Sequence, residues 1–143
     1  MIYASLQDLV DHYGAQSVAQ LADRQQPFMG QLDAAAVAVV DAALADASAE
    51  IDGYVIARYT QGFAQPPRLL SSICRSLAWL ILHRDRPTEE ALADAAAVRK
   101  TLRDVAQGLV MLPDAAGTPL VPPDRPAFVA PARIFTDDTM EGF

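Results

Sequence analysis

At 143 residues, with 52% hydrophobic and 20% charged side chains, the chain is long enough for one folded domain and too short for two independent cores. A formal charge of −7 gains nothing from counterion release on a phosphate backbone, which argues against sequence-specific nucleic-acid binding. A single cysteine, Cys74, leaves no internal disulfide, and neither a signal-peptide pattern at Met1-Ile2-Tyr3-Ala4-Ser5 nor a bilayer-length apolar run is present, so the expectation is a soluble protein without membrane contact.

Ser5 can cap a first short helix carrying Leu6, Leu9, Val10 and Tyr13, with Asp8 in its first turn and Gly14 as its stop. A second short helix is expected from about Ala15 to Ala22. Pro27 and Gly30 then make a loop of residues 23–30. A long Ala-rich helix should start after Asp33 as N-cap and run to about Tyr59. Its seam is Val37, Val40, Leu44, Ala47, Ile51, Tyr54 and Arg58, at alternating spacings of three and four. Gly53 inside this pattern costs about 1 kcal/mol relative to Ala, which points to a bend or a close helix approach there.

After the loop of residues 61–67, Pro67 stands near the first turn of a helix ending at His83 or Arg84. Leu69, Leu70, Ile73, Cys74, Leu77, Leu80 and Ile81 form its broad apolar face, widened by Trp79 and Leu82, so this is the central helix of the bundle. A last helix runs from about Thr88 to Gln107, with Thr88 as cap, Glu89 and Glu90 in the first turn and Gly108 as stop. Its stripe is Leu92, Ala95, Ala96, Leu102, Val105 and Leu109. Six of the ten prolines fall after Gly108, and no helical or strand period survives there. The expected architecture is therefore all-α. It is a small bundle of two short N-terminal helices, one long helix, a central apolar helix and a last helix over residues 1–108. Residues 109–143 form an extended Pro-rich tail, wholly or partly disordered, that ends in sticky side chains.

Chemistry is sparse. His83 beside Arg84 and Asp85 reads as a helix-end or surface salt-bridging residue, and His12 as a surface residue. Ser48, Glu50 and Asp52 are two apart on one helix and face away from each other, so they build no triad. Asp46 and Glu50 repel across one turn; either a neighbouring subunit supplies their counter-charge or they form a solvated acidic face. Arg58 either closes the bundle end on Asp52 or Asp85, or faces a partner together with Tyr59. Trp79 and Tyr54 read as core. No metal cluster, phosphate loop or nucleophile motif is visible, so no catalytic, cofactor or metal residues are assigned and no enzyme is expected.

Several segments stand in a telling order: Tyr3-Ala4-Ser5 before Asp8-Leu9, the block from Ala45 to Tyr54 followed by Arg58-Tyr59, and Pro66-Pro67 before Leu69-Leu70. Leu82-His83-Arg84-Asp85-Arg86-Pro87 and the stretch from Leu102 to Gly108 follow, and Arg133-Ile134-Phe135 with Asp138, Met140, Gly142 and Phe143 completes the set. Together they resemble the small head-tail connector (adaptor or head-completion) proteins of Mu-like phages and prophages. Asp137, where relatives tend to carry a basic residue, and the Thr60–Gln65 loop depart from the pattern. The resemblance implies a helical adaptor that assembles as a ring between the portal protein and tail-completion proteins. DNA would pass through its channel, in the virion at the head-tail junction, after assembly in the host cytoplasm. Its interface candidates are Arg58, Tyr59, Glu50 and Asp46 in the folded part, and Arg133, Phe135, Met140 and Phe143 in the tail. A competing expectation is a small acidic regulatory or chaperone-like binding module whose tail wraps a partner.

Overall fold

Ser5 sets the first boundary by a reciprocal cap. Its hydroxyl accepts the Asp8 N–H at 3.3 Å, and the Asp8 carboxylate accepts the Ser5 N–H at 2.7 Å. The Ser5 contacts hold the Asp8 carboxyl below the usual carboxylate range. The computed structural model describes residues 1–24, 27–60, 62–84, 86–113 and 119. Within them five helices follow in order: α1 (Leu6–Tyr13), α2 (Ala15–Ala22), α3 (Ala34–Val55), α4 (Arg68–His83) and α5 (Glu89–Gln107). The all-α expectation holds among these residues, where the only β feature is an isolated bridge between Pro113 and Pro119.

Asp33 and Thr88 cap α3 and α5 as the sequence suggests, accepting the N–H groups of Ala36 and Ala91. Each such cap contributes about 1 kcal/mol. Gly14 separates α1 from α2 at φ 85, a left-handed region that L side chains avoid. The long helix ends four residues earlier than expected. After Val55 the chain turns through residues 56–58, with the N–H groups of Arg58 and Tyr59 both on the Val55 carbonyl.

Both α3 and α4 touch all four other helices, so the centre of the bundle is a pair rather than α4 alone. The inward residues of α3 are Ala36, Val40, Ala43, Leu44, Ala47, Ser48, Ile51 and Val55. That set follows the 3.6-residue period of a straight helix, whereas the expected seam followed 3.5. As a result Val37, Tyr54 and Arg58 fall at the margin, only half-buried. Gly53 is exposed, with nothing within 4 Å of where a Cβ would stand, so the expected close approach does not occur there.

Leu70, Ile73, Cys74, Leu77, Ala78 and Leu82 of α4 fill the core. The stripe of α5 is Ala91, Ala95, Leu102 and Val105, with Val98 partly buried. Leu92 and Leu109, expected inside, are 48% and 74% exposed, and Ala96 is exposed too. Past Gly108 the chain stays on the body as far as Leu112, which is fully buried and donates its N–H to the Tyr59 hydroxyl at 3.2 Å. The N-terminal residues behave similarly: Tyr3 and Ala4 are buried as an extended strap across α3.

Candidate functional site

The sequence candidates within the described residues do not converge on one point. Glu50 and Arg99 form an intramolecular pair between α3 and α5, with Nε–Oε1 at 2.6 Å and Nη2–Oε2 at 3.1 Å. The carboxylate holds the guanidinium proton more tightly than usual. For Glu50 the counter-charge thus comes from the same chain, where the sequence leaves open a neighbouring subunit or a solvated acidic face for it and Asp46. Sequence reading missed Arg99 because i,i+4 logic finds partners on one helix and says nothing of a residue 49 positions away. Asp46 is exposed and lines a cleft of about 240 Å³ between α3 and the end of α4, with Ala42, Ile81 and Arg84.

Arg58 and Tyr59 take structural positions at the far end of the bundle. Asp52, one of the partners expected for Arg58, is occupied by the N-terminal ammonium at 3.0 Å and by the Tyr3 hydroxyl. The other, Asp85, lies outside the described residues. The Arg58 guanidinium instead lies over Gly108, the left-handed residue that ends α5. There the N–H of Gly108 bonds to the Val105 carbonyl and that of Leu109 to the Asp104 carbonyl, the paired pattern of a glycine-terminated helix. A cation at that end is favoured by the exposed carbonyl dipoles. Tyr59 is buried, and its hydroxyl anchors Leu112. Arg133, Phe135, Met140 and Phe143 lie outside the described residues.

Three groups that could carry acid–base or nucleophilic chemistry, His83, Ser48 and Cys74, are enclosed. His83, expected as a helix-end or surface salt-bridging residue, is the last residue of α4 and is buried. Its Nδ1 faces the Trp79 carbonyl at 2.8 Å, and its own carbonyl accepts from Arg24 at 2.8 Å. Burial follows from Trp79, which meets His83 edge-on and stacks on Tyr13 at 4.0 Å, drawing the end of α4 against α1. His12 is exposed as expected. Ser48 is buried between the Tyr3 N–H at 3.3 Å and the Cys74 sulfur at 3.5 Å. Burial pushes the Cys74 thiol up, away from the thiolate that reactivity needs. Among the described residues no group of three or more His, Cys, Asp or Glu could hold a metal ion, and no helix is long and apolar enough to cross a membrane.

The exposed side of α3 is rich in alanine. The outer side of α3 presents Ala35, Ala38, Ala42, Ala45 and Ala49, all exposed, flanked by exposed Asp41 and Asp46. Met1 and Ile2 of the strap add 50% and 64% exposed apolar side chains beside Ala45 and Ala49.

Comparison with known proteins shows a family match over most of the chain. The family described as Bacteriophage Mu, Gp36 matches residues 3–130. Gene product J of Escherichia phage Mu is 36% identical over 114 residues, covering 80% of this chain and 73% of the relative. Mu-like prophage FluMu protein gp36 of Haemophilus influenzae is 29% identical over 112 residues, covering 78% and 76%.

Proposed function

The chain belongs to the family described as Bacteriophage Mu, Gp36, and from that premise we propose that it is a head-tail connector subunit, binding the portal as a ring and joining the DNA-filled head to the tail. The observation that carries this reading is the outer side of α3. A helix on the surface of a self-sufficient monomer shows solvent a charged or polar face. In α3 the core side is apolar and the outer side runs Ala35, Ala38, Ala42, Ala45, Ala49 at spacings of three and four. Small side chains at that spacing let a neighbouring surface approach closely, and the run extends over most of a helix about 33 Å long.

The role is mechanical. Its buried Ser48, Cys74 and His83 serve the fold, and no catalytic step is assigned to them. The surface acids, Asp41 and Asp46 among them, suit a part that DNA must pass without sticking. Electron microscopy of the protein mixed with its cognate portal tests the reading. An added ring layer is expected, and it should be lost when Ala42 or Ala45 is replaced by Arg while circular dichroism stays that of the folded monomer. A portal that gains no layer overturns the proposal.

A further inference from the structure

Two extended segments flank the helices, and each is anchored by one large buried side chain. Ahead of α1 the strap of residues 1–4 crosses α3 with Tyr3 buried and Ile2 exposed. The Tyr3 N–H donates to the Ser48 hydroxyl at 3.3 Å, and its phenol donates to Asp52. The Met1 ammonium also pairs with Asp52, at an exposed end where solvent screens the attraction. Hollows of about 540 and 230 Å³ adjoin the strap, so Tyr3 and Ala4 are what packs it down. Behind α5, Leu109 and Met111 face solvent and Val110 is half-buried, while Leu112 is fully buried with its N–H on the Tyr59 hydroxyl.

The two anchors are joined by one ring. Phe63, from the connection between α3 and α4, lies 6.3 Å from the Tyr3 ring, edge-on at 67°, and 5.5 Å from the Tyr59 ring. It is half-buried and belongs to no helix, so no helical ladder fixes its backbone and its place depends on the rings either side. Tyr59 has its N–H on the Val55 carbonyl at 2.8 Å, which ties its backbone to the end of α3 and leaves its ring to pack on Phe63. The Leu112 N–H is buried, and such a group is costly to leave without its acceptor.

We propose that the strap and the segment after α5 form one clasp, which opens and closes as a unit through the row Tyr3, Phe63, Tyr59 and Leu112. When Tyr3 lifts, one side of Phe63 faces a void, and a close-packed interior does not keep one. Phe63 moves into the vacated place, the Tyr59 ring loses its neighbour, and the Tyr59 hydroxyl leaves the Leu112 N–H. The core of α3, α4 and α5 stays as it is. Such coupling is reciprocal. A partner that lifts the strap loosens the segment after α5, and one that takes hold of that segment frees the strap. The clasp stands apart from the connector reading, since a chain that forms no ring can still have it.

Amide hydrogen exchange of the full chain, read residue by residue by NMR, tests it. In the unaltered protein the Tyr3 and Leu112 amides should share one opening equilibrium, with equal urea slopes, and exchange faster than the Leu77 amide in the middle of α4. Tyr3→Ala should speed exchange at Leu112, and Tyr59→Phe exchange at Tyr3. Each effect should be about fivefold, the weight of an aromatic pair or a hydrogen bond near 1 kcal/mol. In the Phe63→Ala background, Tyr3→Ala should no longer reach Leu112. Different opening equilibria at Tyr3 and Leu112 in the unaltered protein, or Leu112 exchanging no faster than Leu77, overturn the proposal without any variant. A Leu112 amide indifferent to Tyr3→Ala, or a coupling that survives Phe63→Ala, likewise overturns it.

Discussion

The guanidinium of Arg58 lies where a side chain on Gly108 would have to go: a Cβ at position 108 would stand 2.2 Å from Nη1 and 2.6 Å from Cζ. Gly108 also holds φ 82, so the end of α5 depends on this glycine for its backbone as well as for space. Gly108→Ala is expected to cost about 1–2 kcal/mol, from the left-handed strain plus displacement of the arginine tip. In the Arg58→Ala background the crowding part disappears and the cost should fall towards about 1 kcal/mol. Thermal or urea unfolding of the four proteins measures this, and strictly additive losses would contradict it.

Glu50 and Arg99 should couple within one chain. Their side chains are 28% and 40% exposed, so solvent screens much of the pair's attraction. A double-mutant cycle of Glu50→Gln and Arg99→Gln is expected to give about 0.5–1 kcal/mol, shrinking as salt rises. The same coupling should appear in dilute monomer. A coupling seen only at concentrations where the protein associates would assign the contact to a neighbour instead.

Stability should fall on the alkaline side. Burial, followed by the hydrogen bond to Asp52, pushes the Tyr3 phenol well above its usual 10.0. Burial raises Tyr13 and Cys74 too. For each of these groups the unfolded chain loses its proton first. The stabilisation is therefore complete below the ordinary values, 9.0 for the thiol and 10.0 for the phenols, and drains away as pH rises through the folded ones. Asp8 acts oppositely: its depressed pKa gives stability present above 3.8 and lost as pH falls through the lower folded value. Urea midpoints should hold level between these limits, and Tyr3→Phe should flatten the decline above pH 10.

Gly53 offers a gain. It sits in regular helix, is exposed, and has nothing within 4 Å of an added Cβ. Gly53→Ala is expected to stabilise the protein by about 0.5–1 kcal/mol, read as a rise in the urea midpoint at constant slope. A destabilised variant would show that the helix bends there.

The contrast between Gly53 and Gly108 separates what was legible in the sequence from what was not. Caps and stops are local. Ser5, Asp33 and Thr88 accept N–H groups three residues on, and Gly14 and Gly108 turn the chain through angles that few other residues adopt, so helix starts, order and class could be read directly. The apolar content of α4 marked it as central for a similar reason. Which side of a helix faces inward is a weaker signal when alanine lines both sides. The expected α3 seam was therefore offset, and Leu92 was assigned to a core that Ala91 and Ala95 actually enter.

The sequence by itself determined the all-α class, the helix boundaries to within a few residues, and the family resemblance, because these depend on residues close together in the chain. Only the tertiary structure decided that Glu50 meets Arg99, that Arg58 covers Gly108 and leaves Asp52 to Met1 and Tyr3, and that His83 is enclosed. Each of these contacts except the enclosure of His83 joins positions about fifty apart. Such pairs form when packed helices bring them together, and no spacing rule along the chain encodes that distance.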